Sequence, residues 1–246
     1  MNVLFFDADK QVEITEDFTK FEHITNPQSL KNLELEAKDT ATGFGYLVPP
    51  LGRNKWDGHI YVSGATGSGK TFFINRMLLA DKRKRNVFLF TNLPERDESL
   101  MPMFRTGRLR IVRKNPIRPW EVSEGVFALH LDGSIIVFDD CNDKDAVALR
   151  DGALEKGRHR DVVIICVNHK LRENLLTRKP LNESKYVVAF PSSNRGSVSN
   201  FLKDWFDLRR LQRTEIIKIA QEDGRHIIMH MFSPNSVATT KSVIIV

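Results

Sequence analysis

A chain of 246 residues, 41% of them hydrophobic and 28% charged, has enough apolar material for one α/β core with modest additions at both ends. No uninterrupted apolar run approaches the roughly 20 residues that cross a bilayer. The start, MNVLFFDADK, sets acids directly after a short apolar patch with no basic leader, so neither a transmembrane segment nor a signal peptide is expected.

Residues 1–52 read as a mixed N-terminal extension. Val3–Phe6 and Gln11–Ile14 are short strands around an acidic turn, and Pro27–Ala37 is a short helix. The Gly/Pro-rich stretch GFGYLVPPLG at 43–52 breaks regular structure before the core begins. Across 53–196 short apolar runs alternate with helix-like segments, the pattern of βαβ units around a mostly parallel sheet. The strand runs are His59–Ser63, Asn86–Thr91, Ser134–Phe138, Asp161–Val167 and Lys185–Phe190. Thr71–Asp81, Asp143–Lys156 and Leu171–Thr177 are the helical stretches between them. Leu109–Val112 suits an extra strand and Pro116–Pro119 a turn. From 197 to 246 the chain completes the same domain. Phe201, Leu202, Trp205, Leu208, Leu211 and Ile216 recur at helical spacing in one helix over Val198–Ala220. His226–Phe232 and Lys241–Val246 then form a hairpin across SPNSVATT.

Residues 64–71, GATGSGKT, satisfy G-x-x-x-x-G-K-[ST] between an apolar strand and an apolar helix. The spacing has a chemical reason. Gly64, Gly67 and Gly69 let the backbone curl until the amides of Ala65, Thr66, Ser68 and their neighbours point inward. Those amides and the positive end of the following helix hold anionic phosphates. Lys70 reaches the β- and γ-phosphates, and the Thr71 hydroxyl ligates magnesium. ATP and Mg2+ are therefore the expected cofactors, on a three-layer P-loop NTPase fold of the RecA-like (ASCE) plan.

Four apolar residues end in two acids at SIIVFDD, 134–140. A buried strand ending in an acid at the carboxyl edge of the sheet sets that acid beside the phosphate loop. Asp139 takes the Walker B role at the magnesium ion, and Asp140 polarises the attacking water. The next apolar run ends in Asn168–His169. An amide both donates and accepts hydrogen bonds, so Asn168 is suited to orient the lytic water, with His169 as the alternative sensor. EKGRHRD, 155–161, supplies Arg158 and Arg160 at the side of the domain away from the phosphates of its own chain. From there an arginine can reach a neighbouring subunit's nucleotide.

The other signals carry less. Cys141 and Cys166 lie beside apolar runs and read as reduced core thiols of an intracellular protein. His226 and His230 have no partner with familiar zinc spacing. A net charge of +6 and a pI of 9.3 suit a polyanionic partner without specifying one. Lys82–Arg85, the Arg105–Lys114 stretch, and Arg209, Arg210 and Arg213 are the basic clusters available for phosphate contacts.

GATGSGKT, SIIVFDDC, GRHRDVVIICVNH and KYVVAF, in that order, resemble the viral genome-packaging ATPases of the FtsK/HerA class, of the poxvirus and large DNA virus type. The resemblance covers residues 58–192. It implies a homo-oligomeric ring, commonly a hexamer, that hydrolyses ATP to thread double-stranded DNA into a preformed capsid, docked on a capsid or membrane vertex protein in the infected host. It also implies a trans-acting arginine before the sensor strand, which favours Arg158. This chain departs from the family in carrying Asn168–His169 where glutamine is common. A nucleotide or nucleoside kinase, and an ATP-dependent assembly switch that moves no DNA, stay open as other uses of the same loop.

Overall fold

Alternation along each core strand sends successive side chains to opposite faces of one sheet. The computed structural model describes residues 2–5, 13–14, 58–79, 81, 83–91, 100–113, 133–171, 175–231, 236–238 and 242–245. Among these, the strands are β1 (Asn2–Phe5), β2 (Glu13–Ile14), β3 (His59–Ser63), β4 (Val87–Thr91), β5 (Leu109–Arg113), β6 (Ile135–Asp139), β7 (Val163–Asn168), β8 (Ser184–Ala189), β9 (Ile227–His230), β10 (Ser236–Ala238) and β11 (Ser242–Ile245). They form a sheet of order β2-β1-β11-β10-β9-β8-β3-β7-β6-β4-β5. From β8 to β5 every pairing is parallel. Beyond β8 the strands β9, β10 and β11 are antiparallel to their predecessors, and β1 pairs parallel with β11.

Helices cover both faces. On one, Ile60, Val62, Ile135, Val137, Val163 and Ile165 pack with Ile74, Met77 and Leu78 of α1 (Lys70–Leu79) and Met103 of α2 (Met101–Phe104). On the other, Tyr61, Ile136, Phe138, Ile164 and Cys166 pack with residues of three helices. These are Leu149 and Leu154 of α3 (Lys144–Lys156), Phe201 and Leu202 of α5 (Pro191–Phe206), and Ile216 and Ile217 of α6 (Arg210–Asp223). A fourth helix, α4 (Leu175–Glu183), adds Leu181 to the same cluster. Burial on both faces explains why the core strands read as continuous apolar runs. Each fully buried Val, Ile or Leu contributes about 1.5–3 kcal/mol.

Local chemistry fixes the ends. Asp143 caps α3 by accepting the Ala146 N–H at 2.9 Å, worth about 1 kcal/mol. At the foot of β3, buried His59 accepts the Ile164 N–H at Nδ1, 3.1 Å, leaving Nε2 as the donor to Leu154 O, 3.1 Å. One imidazole thereby ties β3, β7 and α3.

The core strands lie within two residues of the sequence reading; β1 and β2 overlap the two short N-terminal strands read there, and they pair antiparallel. Three expectations need correction. The helix drawn over Val198–Ala220 is two helices, α5 and α6, broken where Asp207 turns left-handed at φ 51°. The terminal hairpin is a three-stranded meander, because Ser236–Ala238 inside the supposed turn pairs with both β9 and β11. The helix expected at Leu171–Thr177 is displaced to Leu175–Glu183 and runs through Pro180. Proline removes one N–H from the helix; past it, Ser184 Oγ donates to the Pro180 carbonyl at 2.6 Å. The helix read at Pro27–Ala37, the connector at 43–52 and the turn at Pro116–Pro119 lie outside the described residues.

Candidate functional site

The carboxyl ends of β3, β7, β6 and β4 meet at one edge of the sheet, and the candidate residues occupy their tips. β3 runs into residues 64–69 and then α1. The loop is anchored by the Gly64 N–H, which donates to Asn168 O at 3.2 Å, and closed by the Ser68 N–H to Ala65 O at 3.1 Å. A side chain at Gly64 would force its neighbours to shift: a Cβ there would stand 2.5 Å from Ser68 Oγ and 3.0 Å from Phe190 Cδ2. Gly69 has φ 103°, open only to glycine at low cost. Phe190, immediately after β8, is the hydrophobic backing of the loop.

Lys70 opens α1 and folds across the loop. Its Nζ donates to Gly64 O at 2.6 Å and Ala65 O at 3.0 Å. Partial burial holds its pKa below the usual lysine value, against the opposing pull of Asp139 and Asp140. Thr71, Asn75 and Asp139 line the same small recess beneath α1.

Asp139 ends β6, half-buried, with Oδ2 accepting the Thr91 hydroxyl at 3.1 Å. Burial lifts its carboxyl above the usual range; the Thr91 hydrogen bond works against that, the neighbouring Asp140 adds to it, and Lys70 and His169 oppose it. Asp140 is left-handed at φ 51°, a conformation aspartate tolerates better than most residues. Its N–H donates to Val167 O at 3.0 Å. Its carboxylate accepts the Asn142 amide at 2.8 Å and lies 3.4 Å from His169 Nε2. Asn168, buried at the tip of β7, is in register with Ser63, and Val167 with Asp139.

The inserted strand β7 is what makes this a single site. It separates β3 from β6, so Asn168 stands between the phosphate-loop strand and the acidic strand. Lys70, Thr71, Asp139, Asp140 and Asn168 are gathered at one edge. Arg158 is not: it belongs to the 3-10 helix Gly157–Arg160, which leads into the opposite end of β7. Arg160 shares that turn.

The gathered groups match a magnesium nucleotide. Thr71 and Asp139 offer hard oxygen donors of the kind Mg2+ takes. Gly64 leaves a cradle that a Cβ would fill, bordered by the Lys70 ammonium. Among the described residues no group of three or more His, Cys, Asp or Glu is placed to hold a metal. A phosphate-assisted Mg2+ site of few protein ligands is the arrangement that donor set suits.

Sequence reading missed Thr91 and Phe190. The run FLFT ends in a polar residue at the edge where FDD ends, a signal usable only once β4 is known to neighbour β6. Phe190 gave no signal, since it looks like one more apolar strand residue.

Several proposed phosphate-contact arginines are engaged internally. Arg85 and Arg108 both pair with the buried Asp81, at 3.3 and 3.1 Å. Arg83 pairs with Asp161 at 2.7 Å, and Arg213 donates to Ser199 O at 3.1 Å. Arg105, Arg209 and Arg210 are exposed. Cys141 and Cys166 are buried free thiols, and burial pushes the Cys166 thiol up to about 12, out of reach of thiolate chemistry. His226 packs on Phe73 and Phe190, and His230 on Tyr186. Among the described residues no helix is long and apolar enough to cross a membrane.

No protein-family model matches the sequence. Uncharacterized protein V3 of Sputnik virophage is 27% identical over 172 residues, 65% of this chain and 66% of that protein, just under two thirds of its length. Two solved structures superpose with TM-scores of 0.50 at 12% identity. One is B204, the DNA-packaging ATPase of Sulfolobus turreted icosahedral virus, over 71% of this chain and 93% of that one. The other is the genome-packaging NTPase B204 of Sulfolobus turreted icosahedral virus 2 with ATP-gammaS, over 79% and 99%. At that identity the likeness is one of fold, the mixed α/β fold of P-loop NTPases.

Proposed function

We propose that this chain is an ATP-hydrolysing motor that drives double-stranded DNA into a viral capsid, working as a homo-oligomeric ring, with six subunits as the working number. The observation that carries the proposal is the gathering of Lys70, Thr71, Asp139, Asp140 and Asn168 at one sheet edge around a glycine loop. The B204 proteins with this fold are described as DNA-packaging ATPases, and V3 is likewise a viral protein.

In this reading the loop amides between Gly64 and Thr71, other than that of Ser68, hold the β- and γ-phosphates. Lys70 leaves the carbonyls of Gly64 and Ala65 and turns its ammonium to the γ-phosphate. Thr71 and Asp139 would hold magnesium, which supplies Lewis-acid stabilisation of charge on the phosphoryl oxygens. Asp140 accepts a proton from the attacking water, and Asn168 orients that water through its amide. Arg158 precedes β7, at the end of that strand away from its own chain's site, so it serves the neighbour's, stabilising charge on the transferring group. Exposed Arg105 and Arg210 are among the cations that would meet DNA phosphates, giving salt-dependent contact without sequence preference. A capsid or vertex protein would anchor the ring, in the cytoplasm or viral factory of the infected host.

The test is ATP hydrolysis by the full chain with and without double-stranded DNA, with Lys70→Ala as the inactive control. DNA stimulation supports the motor. Phosphate transfer to a nucleoside would establish a kinase instead, and slow turnover indifferent to DNA would favour an assembly switch.

A further inference from the structure

Asp139, Asp140 and Asn168 lie on the flank of the phosphate loop that faces β7 and β6. The other flank, toward β8 and β9, opens onto a cleft of about 400 Å3. Gly67 and Ser68 of the loop form one wall, with Pro191, Gln221, Gly224 and Arg225 opposite. We infer that this cleft takes the base and ribose of the bound nucleoside triphosphate, with Gln221 reading the edge of the base and Arg225 lying over its face. The inference rests on the phosphate-loop reading above and adds the half of the ligand that reading leaves unplaced.

A nucleotide is a linear object. With its γ end against Asp139, Asp140 and Asn168, the chain of phosphates must leave the loop on the opposite side. Gln221 and Arg225 are both exposed there, and each has the right chemistry. A carboxamide presents a donor and an acceptor side by side, which matches the adjacent amino group and ring nitrogen of adenine. A guanidinium is planar and stacks on aromatic faces.

The cleft wall is also held in place relative to the loop. His226, next to Arg225, packs its ring 4.7 Å from Phe73 of α1 and 5.8 Å from Phe190. Phe190 in turn is the side chain nearest Gly69 and among the nearest to Gly64. The segment entering β9 is therefore fixed to the same aromatic group that backs the phosphate loop.

Inorganic tripolyphosphate carries the phosphates without the nucleoside, so titrating it and ATP into the full chain with Mg2+ separates the two halves of the site. Wild type should bind ATP the more tightly. Gln221→Ala should weaken ATP about tenfold, equivalent to about 1.4 kcal/mol. Arg225→Lys, which keeps the charge and removes the planar face, should weaken ATP about threefold, or about 0.65 kcal/mol. Both variants should hold tripolyphosphate unchanged, whereas Lys70→Ala should weaken both ligands. Wild type that binds tripolyphosphate as tightly as ATP, or variants that leave ATP affinity intact, would overturn the cleft and spare the phosphate loop. Wild type that binds neither ligand would overturn both.

Discussion

Thr91 Oγ1 lies 3.1 Å from Asp139 Oδ2 and donates to it, joining the tips of β4 and β6. Parallel pairing of these strands, with Phe90 opposite Phe138, brings the two residues side by side. The hydroxyl holds the carboxylate in one orientation and offsets part of its burial. Thr91→Val keeps the shape and removes the donor. A hydrogen bond to a charged group is worth about 1.5–3 kcal/mol, so turnover should fall about tenfold or more and the Mg2+ concentration for half-maximal hydrolysis should rise. Thr91→Ser should restore both. Unchanged magnesium dependence in Thr91→Val would remove Thr91 from the site.

Asp139 illustrates a site held against the stability of the fold. Its carboxyl is raised chiefly by burial, so the native state binds that proton more tightly than the unfolded chain does. The associated destabilisation is fully present above the raised native value, and it fades as pH falls to the ordinary carboxylate range. Asp139→Asn should therefore raise the thermal midpoint of the ligand-free protein at pH 7–8 while abolishing magnesium-dependent hydrolysis. The gain should shrink toward zero near pH 4. A variant less stable than wild type at pH 8 would contradict this account of the site.

The parts of the fold legible in sequence are those set by local chemistry. Doubly covered strands read as short apolar runs, and the loop is announced by Gly69, whose φ suits glycine, by Gly64, where a side chain would be crowded, and by the charge of Lys70. The break between α5 and α6 was hidden because apolar residues keep helical spacing across Asp207, whose left-handed turn leaves no pattern. β10 was hidden because three residues, Ser236–Ala238, are too few to show alternation. Thr91 and Phe190 needed the strand order: their roles come from neighbours far away in the chain, β6 in one case and the phosphate loop in the other. The same limit applies to the arginines. Arg85 and Arg108 look like one half of a basic surface until Asp81 is found between them.

Asn168 and His169 can be told apart by kinetics. Asn168 is buried beside the root of the phosphate loop, whereas His169 is exposed and pairs with Asp140. Asn168→Ala should lower kcat by about 100-fold or more while leaving nucleotide affinity near wild type, the magnitude for loss of one preorganised polar contact at a reacting centre. His169→Ala removes an exposed contact with the Asp140 carboxylate worth about 0–1 kcal/mol and should cost no more than about fivefold. The reverse ranking would make His169 the sensor and reduce Asn168 to the residue whose carbonyl anchors Gly64.

Arg158 calls for a test that separates acting in a neighbour from acting in its own chain. An arginine stabilising phosphoryl transfer contributes about 10³–10⁵ in rate, so Arg158→Ala should be nearly inactive although its phosphate loop is intact. Lys70→Ala has the converse defect, an inactive loop with Arg158 present. Where the two variants meet in a mixed ring, the Arg158→Ala subunit receives the missing guanidinium from its Lys70→Ala neighbour. Random equal mixing makes about one interface in four competent, so hydrolysis should recover to about a quarter of the wild-type rate with the trans arginine. Parallel mixing with Arg160→Ala assigns the role within GRHR, because the variant that lacks the finger is the one rescued. Complete inactivity of the Arg158→Ala mixture, in assemblies shown to contain both subunits, would put the contribution of Arg158 in its own chain and overturn the trans role.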